Sequence, residues 1–172
     1  IGKNCKIEQN SRIANATIGD GVSIDNSVIL DSSVGSNTSV GPFAYIRPDS
    51  TIGEACKVGD FVEVKNASMG NGSKSAHLTY IGDADIGENV NLGCGVVFVN
   101  YDGKNKHRST VGDGCFIGCN VNLVSPVDVG DGAYIAAGST VTKDVPKDAL
   151  SVGRARQKNI ENWATQRGLY RK

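Results

Sequence analysis

Chemistry in this sequence gathers around His77, which lies in the polar stretch SAHLTY inside Ser75–Asp102 and is one of two histidines in the chain. A neutral imidazole at pH 7 can act as a general base, although a lone histidine can equally be a structural group. Arg47 and Lys65 each directly follow an aliphatic residue and stand 18 positions apart. Two stacked positive charges are unfavourable without a counter-ion, so an anion between them is one reading. Pairing with Asp49, Asp60 or Glu63 is the other. Cys119 and Ala137 are again 18 apart, each two residues after an aliphatic. With a register carried across a long loop and one shortened hexad, Cys94 and His77 join the same column. The result is a base at one end of a ladder of small outward residues, beside a groove for a long ligand. A Cys94 nucleophile served by His77 is conceivable, but nothing in the spacing argues for a low-pKa thiolate.

These positions depend on a six-residue repeat. Aliphatic residues recur at Ile1, Ile7 and Ile13, then at Val28, Val34, Val40, Ile46, Ile52, Val58 and Val64, and again from Val111 through Ile117, Leu123, Val129 and Ile135 to Val141. Glycine often follows, and the fourth residue on is small or β-branched, as at Cys56, Cys115 and Ala133. Six fits neither the helical period near 3.6 nor the strand period of 2. It fits a short strand plus a turn, three copies to a triangular coil, with parallel strands stacked at about 4.8 Å. Some seven or eight coils, a prism of roughly 35 Å, are predicted. Cys5, Cys56 and Cys115 fall on inward positions as core filler, while Cys94 and Cys119 point outward. Two stretches are expected to interrupt the pattern, SAHLTY and a loop swelling from VVFVNYDG. The repeat covers 1–150, and residues 151–172 form an arm with helical character around Asn159–Trp163.

Bulk properties narrow the partners. Net charge is zero, so no nucleic-acid partner is implied. No apolar run approaches the roughly 18 residues of a membrane span, so no membrane partner is expected. Five cysteines without zinc spacing fit reduced thiols and a cytoplasmic location. The tail is basic, with Arg154, Arg156, Lys158, Arg167, Arg171 and Lys172 against Glu161 alone; it is either a solvated end or an arm reaching a phosphate-bearing ligand. The chain opens inside the repeat without methionine, which reads as a piece of a longer protein.

The hexapeptide pattern resembles the left-handed parallel β-helix of the hexapeptide acyltransferases; the handedness comes from that resemblance, not from the spacing. The succession GPFAYIRP, VGDFVEVKNA, HLTYIGDADIG, NLGCG, NYDGKNKH and GRARQKNIENW is more specific. It resembles the C-terminal acetyltransferase domain of the bifunctional bacterial enzymes that make UDP-N-acetylglucosamine. The resemblance implies acetyl transfer from acetyl-CoA to the amine of glucosamine 1-phosphate, in a homotrimer with sites between neighbouring prisms. His77 is then the general base, and no covalent intermediate is needed because a held amine is nucleophile enough. Arg47, Lys65, Tyr80 and Asn91 match sugar-phosphate positions. Cys94, Asn100, Tyr101, Cys119, Ala137 and Arg154 match acetyl-CoA positions, and a backbone N–H near Tyr101 is the candidate oxyanion donor. Glu63 is expected to orient His77. Magnesium belongs only to the uridyltransferase domain that would precede Ile1. The family usually has an alanine-like residue at Cys94 and a serine at Cys119, so this chain is expected to bind the cofactor differently there and to carry two oxidisable thiols.

Three other readings compete. A zinc hydratase of this fold needs three histidine ligands, and only His77 and His107 are available. Acetyltransferases acting on serine or antibiotics have no use for an Arg47/Lys65 anion site. An inert trimerising scaffold gives no reason for SAHLTY or the NYDG loop.

Overall fold

The computed structural model describes residues 1–169; Arg171 and Lys172 of the basic tail lie outside the described residues. Strands of two to four residues fall into three parallel sheets of nine, eight and seven strands. Within each sheet a strand pairs with the third strand before and after it in sequence, except that the last strand of the chain pairs with the second before it, so the chain winds as a three-sided solenoid. Nine strands in the first sheet exceed the seven or eight coils expected, because several coils contain 16 or 17 residues. Ile13 pairs with Ile29, and Val64 with Ile81.

The core is a set of stacked aliphatic columns. In the second sheet Ile29, Ile46, Val64, Ile81, Phe98 and Leu123 follow one another and are completely buried. Each layer presents its branched side chain to the same face, and closing the prism removes that face from water. Val28, expected on the core side, is only half-buried; Ile29 takes its place because the preceding step, from Ile24, is five residues. Ile1 and Ile7 have no coil beneath them and stay exposed. The small inward positions behave as expected at Cys56 and Cys115. Both are buried, and each thiol donates to a carbonyl 3.1 Å away, on Gly70 and Gly130.

SAHLTY does not interrupt the geometry. Ser75 pairs with Val58 on one side and Leu92 on the other, in the inward column. A serine at an aliphatic position broke the sequence pattern while the backbone continued. The true excursion follows Val99: the chain leaves the second sheet, forms a loop closed by an antiparallel bridge between Tyr101 and Lys106, and re-enters the third sheet at Ser109–Val111. The last strand, Leu150–Ser151, pairs with Tyr134–Ile135. A helix follows at Trp163–Gln166, shorter and later than the expected helical segment, with no buried residue.

Candidate functional site

The column inferred by counting is present in the backbone. Register runs Lys74 to Asn91 to Phe116 to Tyr134, which brings His77, Cys94, Cys119 and Ala137 into equivalent positions on successive coils. The amide of Asn120 donates to the Cys94 carbonyl and that of Gly138 to the Cys119 carbonyl, each at 2.8 Å. Arg154 lies at the upper end of this edge, with its stem alongside Gly138. Asn91 is on the same sheet, outward, over Lys74.

One strand below His77 is Asp60, its register partner. Asp60 Oδ1 is 2.5 Å from His77 Nδ1. The hydrogen bond from His77 holds the Asp60 carboxyl below the usual carboxylate range. Glu63, expected to orient His77, does something else: its Oε1 lies 2.7 Å from Arg47 Nη1. The two carboxylates are three residues apart, and the prism corner between them sends Asp60 to the first sheet and Glu63 to the second. The sequence reading offered Asp60 only as a partner for Arg47 or Lys65, because its partnership with His77 requires a 17-residue coil.

Arg47 and Lys65 are stacked as counted, with Val64 paired to Ile46 and the Arg47 amide donating to the Val64 carbonyl. Arg47 is engaged by Glu63, which pushes its pKa up through the hydrogen bond. The Lys65 ammonium stands 3.9 Å from Asp83. A third cation, Lys106 on the loop, meets Lys65, and that contact lowers its pKa. Three cations therefore share this edge with two carboxylates, which leaves an unbalanced positive charge. Tyr80 folds over Gly82, the next residue in the Lys65 column; a Cβ there would lie 2.4 Å from the Tyr80 hydroxyl. The missing side chain makes room for a hydroxyl beside the lysines. Lys106 was missed because its only sequence signal is membership of the loop.

Asn100 is buried, and its amide donates to Asp83 Oδ2 at 2.5 Å and to the Tyr80 hydroxyl at 3.4 Å. Burial works to raise the Asp83 carboxyl, but hydrogen bonds from Asn66 and Asn100 and the charge of Lys65 outweigh it and hold it low. Tyr101 is exposed on the loop, its hydroxyl donating to the Gly103 carbonyl. The loop is stapled at its base by Arg108, which donates to both oxygens of Asp85 and to the Asn66 carbonyl. At its tip Asp102 accepts backbone N–H groups of Asn105 and Lys104 and a 2.7 Å contact with His107 Nε2. These bonds, led by that from Asn105, hold its carboxyl far below the ordinary range.

The residues thus line the outer side of the second sheet. His77, Cys94, Cys119, Ala137 and Arg154 occupy the edge shared with the first sheet. Lys65, Asn100 and Lys106 stand toward the edge shared with the third, while Tyr80 opens its strand three residues after His77 and the Arg47 guanidinium reaches back to Glu63 at the start of the neighbouring strand. Among the described residues no group of three His, Cys, Asp or Glu side chains could hold a metal ion, and each histidine is paired with its own aspartate.

Comparison with known proteins agrees with this construction. The model of the bacterial transferase hexapeptide family (six repeats) matches residues 31–66 and 108–143. The bifunctional protein GlmU of Clostridium beijerinckii is 58% identical over 169 residues, 98% of this chain and 37% of that protein. GlmU of Alkaliphilus oremlandii is 60% identical over all 172 residues, 38% of its length. The chain belongs to the bacterial hexapeptide transferase family. This hexapeptide transferase chain spans little more than a third of the length of those relatives. Among solved structures, LpxA of Bacteroides fragilis, a UDP-N-acetylglucosamine acyltransferase, superimposes with TM-score 0.64 at 18% identity, covering 87% of this chain and 70% of that one. LpxA from Acinetobacter baumannii gives 0.55 at 17% identity, covering 96% and 78%. At such identity the likeness speaks for fold alone, and the fold is the left-handed parallel β-helix.

Proposed function

We propose that this chain transfers the acetyl group of acetyl-CoA to the amine of glucosamine 1-phosphate, giving N-acetylglucosamine 1-phosphate for UDP-N-acetylglucosamine synthesis in the cytoplasm. Residues 1–150 form the acetyltransferase unit and 151–172 its arm. The observation that carries the reading is the Asp60–His77 pair. With Nδ1–H donated to the carboxylate, Nε2 presents its lone pair outward, the form a general base requires. The sugar amine attacks the thioester carbonyl, His77 Nε2 takes the proton, and the tetrahedral oxyanion is met by a backbone N–H near Tyr101. Collapse expels the coenzyme A thiolate, which leaves as the thiol after protonation.

Arg47, Lys65 and Lys106 hold the sugar phosphate, with Tyr80 and Asn91 on the sugar. The unbalanced charge there favours a phosphate over the plain amines of other acetyltransferases. The column Cys94–Cys119–Ala137 floors the cofactor groove, Arg154 faces its phosphates, and Asn100 shapes the wall carrying Tyr101. Exposed apolar surface beside His77 supports a site completed by a second copy, in a homotrimer. The exposed strip of Phe43, Phe61 and Leu78 next to His77 is apolar surface such a contact would cover.

Coenzyme A release tests the reading, measured with glucosamine 1-phosphate, with plain glucosamine, and with His77→Ala. Turnover that needs the phosphate and falls by about 10²–10⁴ in His77→Ala is expected. Turnover unchanged in the variant would refute the base, and equal turnover with glucosamine would refute the anion site.

A further inference from the structure

Five cysteines divide into two kinds. Cys5, Cys56 and Cys115 each direct the thiol at a carbonyl 3.1 Å away. Burial pushes the thiols of Cys56 and Cys115 up, which makes them poor nucleophiles. Cys94 is half-exposed and Cys119 exposed, and they are consecutive members of the outward column.

The backbones meet closely where these two residues stack. A Cβ on Gly93 would lie 2.6 Å from the Cys119 nitrogen, and the Asn120 amide donates to the Cys94 carbonyl at 2.8 Å. Register partners on adjacent parallel strands are about 4.8 Å apart at Cα. That is inside the window of about 4.4–6.8 Å between the Cα atoms of a disulfide. Two side chains leaving neighbouring coils in the same direction start with their Cβ atoms about 4.8 Å apart, a little beyond the roughly 3.5–4.5 Å of a disulfide, so closure needs a small yielding of the turns that carry them as well as χ1 rotation. Cys94 is flanked by Gly93 and Gly95, which leaves its side chain free of bulky neighbours along the chain.

We infer that Cys94 and Cys119 form a vicinal dithiol that closes to an intrachain disulfide under mild peroxide and so shuts the cofactor groove beside His77. Chemically, one thiolate attacks hydrogen peroxide, the O–O bond breaks, and a sulfenic acid and hydroxide result; the second thiolate then displaces the sulfenic hydroxyl. Two thiols and one peroxide become one disulfide and two waters, each sulfur losing one electron. A dithiol reductant reverses the step by exchange. The bridge draws the two outward side chains into one another between His77 and Ala137, where the proposed acetyl-CoA reading lays the cofactor. The effect on activity rests on that reading; the bridge itself does not.

The test oxidises the 172-residue chain with hydrogen peroxide and follows mass and acetyl transfer together. Expected are a loss of about two mass units per chain and a tryptic link between the peptide carrying Cys94 and that carrying Cys115 and Cys119. The link should vanish in Cys119→Ser and persist in Cys115→Ser, a change the inward column tolerates because Ser73 already occupies an equivalent place. Apparent acetyl-CoA affinity should fall roughly tenfold or more and return with dithiothreitol, while in Cys94→Ala, whatever its own starting affinity, peroxide should bring no such fall. A folded chain in which an alkylating reagent labels both thiols after peroxide overturns the bridge. A mapped bridge with unchanged turnover overturns the switch. If the reduced chain transfers no acetyl group at all, the proposed function has failed, and the mass readout still decides the bridge.

Discussion

Within the first sheet, the regular coils and the coil carrying His77 differ by one inward side chain. Ile24, Val40, Val58, Leu92, Ile117 and Ile135 fill the inward column, but between Val58 and Leu92 stands Ser75. It is completely buried, and its hydroxyl has no hydrogen-bond partner among the described residues. The backbone registers are alike in both kinds of coil. Two residues after Ser75 the same strand presents His77 outward, with Asp60 beneath it. In this column the regular coils bury an aliphatic side chain at each of these layers, whereas the coil at the site buries a serine. A repeat scaffold tolerates this because each coil is held mainly by its neighbours on either side.

The largest effect separates core from site by stability. Phe98→Ala removes a completely buried ring from the second-sheet column and should cost about 3–5 kcal/mol in chemical denaturation. His77→Ala should leave the midpoint nearly unchanged while removing turnover. Equal destabilisation by both would erase the distinction between the two kinds of position.

Asp60→Asn sharpens it next. The amide no longer favours Nδ1–H on His77, so kcat should drop roughly 10–100-fold with KM little changed. Since His77 holds the Asp60 carboxyl below its ordinary 3.8, the stabilising interaction is present above that pH and lost as pH falls through the depressed folded value. In the wild type the pair should therefore persist down to about pH 4. An NMR titration showing the Asp60 carboxyl at or above its ordinary value would break the pairing.

A loop position should behave differently from either. Lys106→Ala relieves the contact with Lys65 and should not weaken the fold. It should raise KM for glucosamine 1-phosphate about tenfold and leave KM for acetyl-CoA in place. A rise in both constants, or in neither, would detach Lys106 from the anion site. The smallest change expected is at Ser75 itself. Ser75→Ala deletes a buried, unpartnered hydroxyl and should stabilise the chain by about 1 kcal/mol; a loss of stability would mean that the hydroxyl is satisfied in solution.

Much of this was legible beforehand because the repeat turns sequence distance into spatial distance. The Arg47–Lys65 stack and the His77–Cys94–Cys119–Ala137 column follow from steps of about one coil, whichever face they occupy. Val28 was misplaced since one five-residue step shifts every later residue by one position, and such a step is hard to see where Val28 and Ile29 are both aliphatic. Glu63, expected to orient His77, meets Arg47, while Asp60 meets the imidazole. Both carboxylates precede His77 by about a coil, and only the corner between them decides which one meets the imidazole.

Composition and period by themselves determined the parallel stacked strands, the inward aliphatic columns and the outward thiols. Those properties depend on local alternation and on excluding apolar side chains from water, both of which are written residue by residue. Tertiary structure alone decided the pairing of His77 with Asp60, the engagement of Arg47 by Glu63 and the arrival of Lys106 beside Lys65. Each depends on how a loop folds back or on which side of a corner a residue falls, and an error of one position there changes the face to which a side chain points.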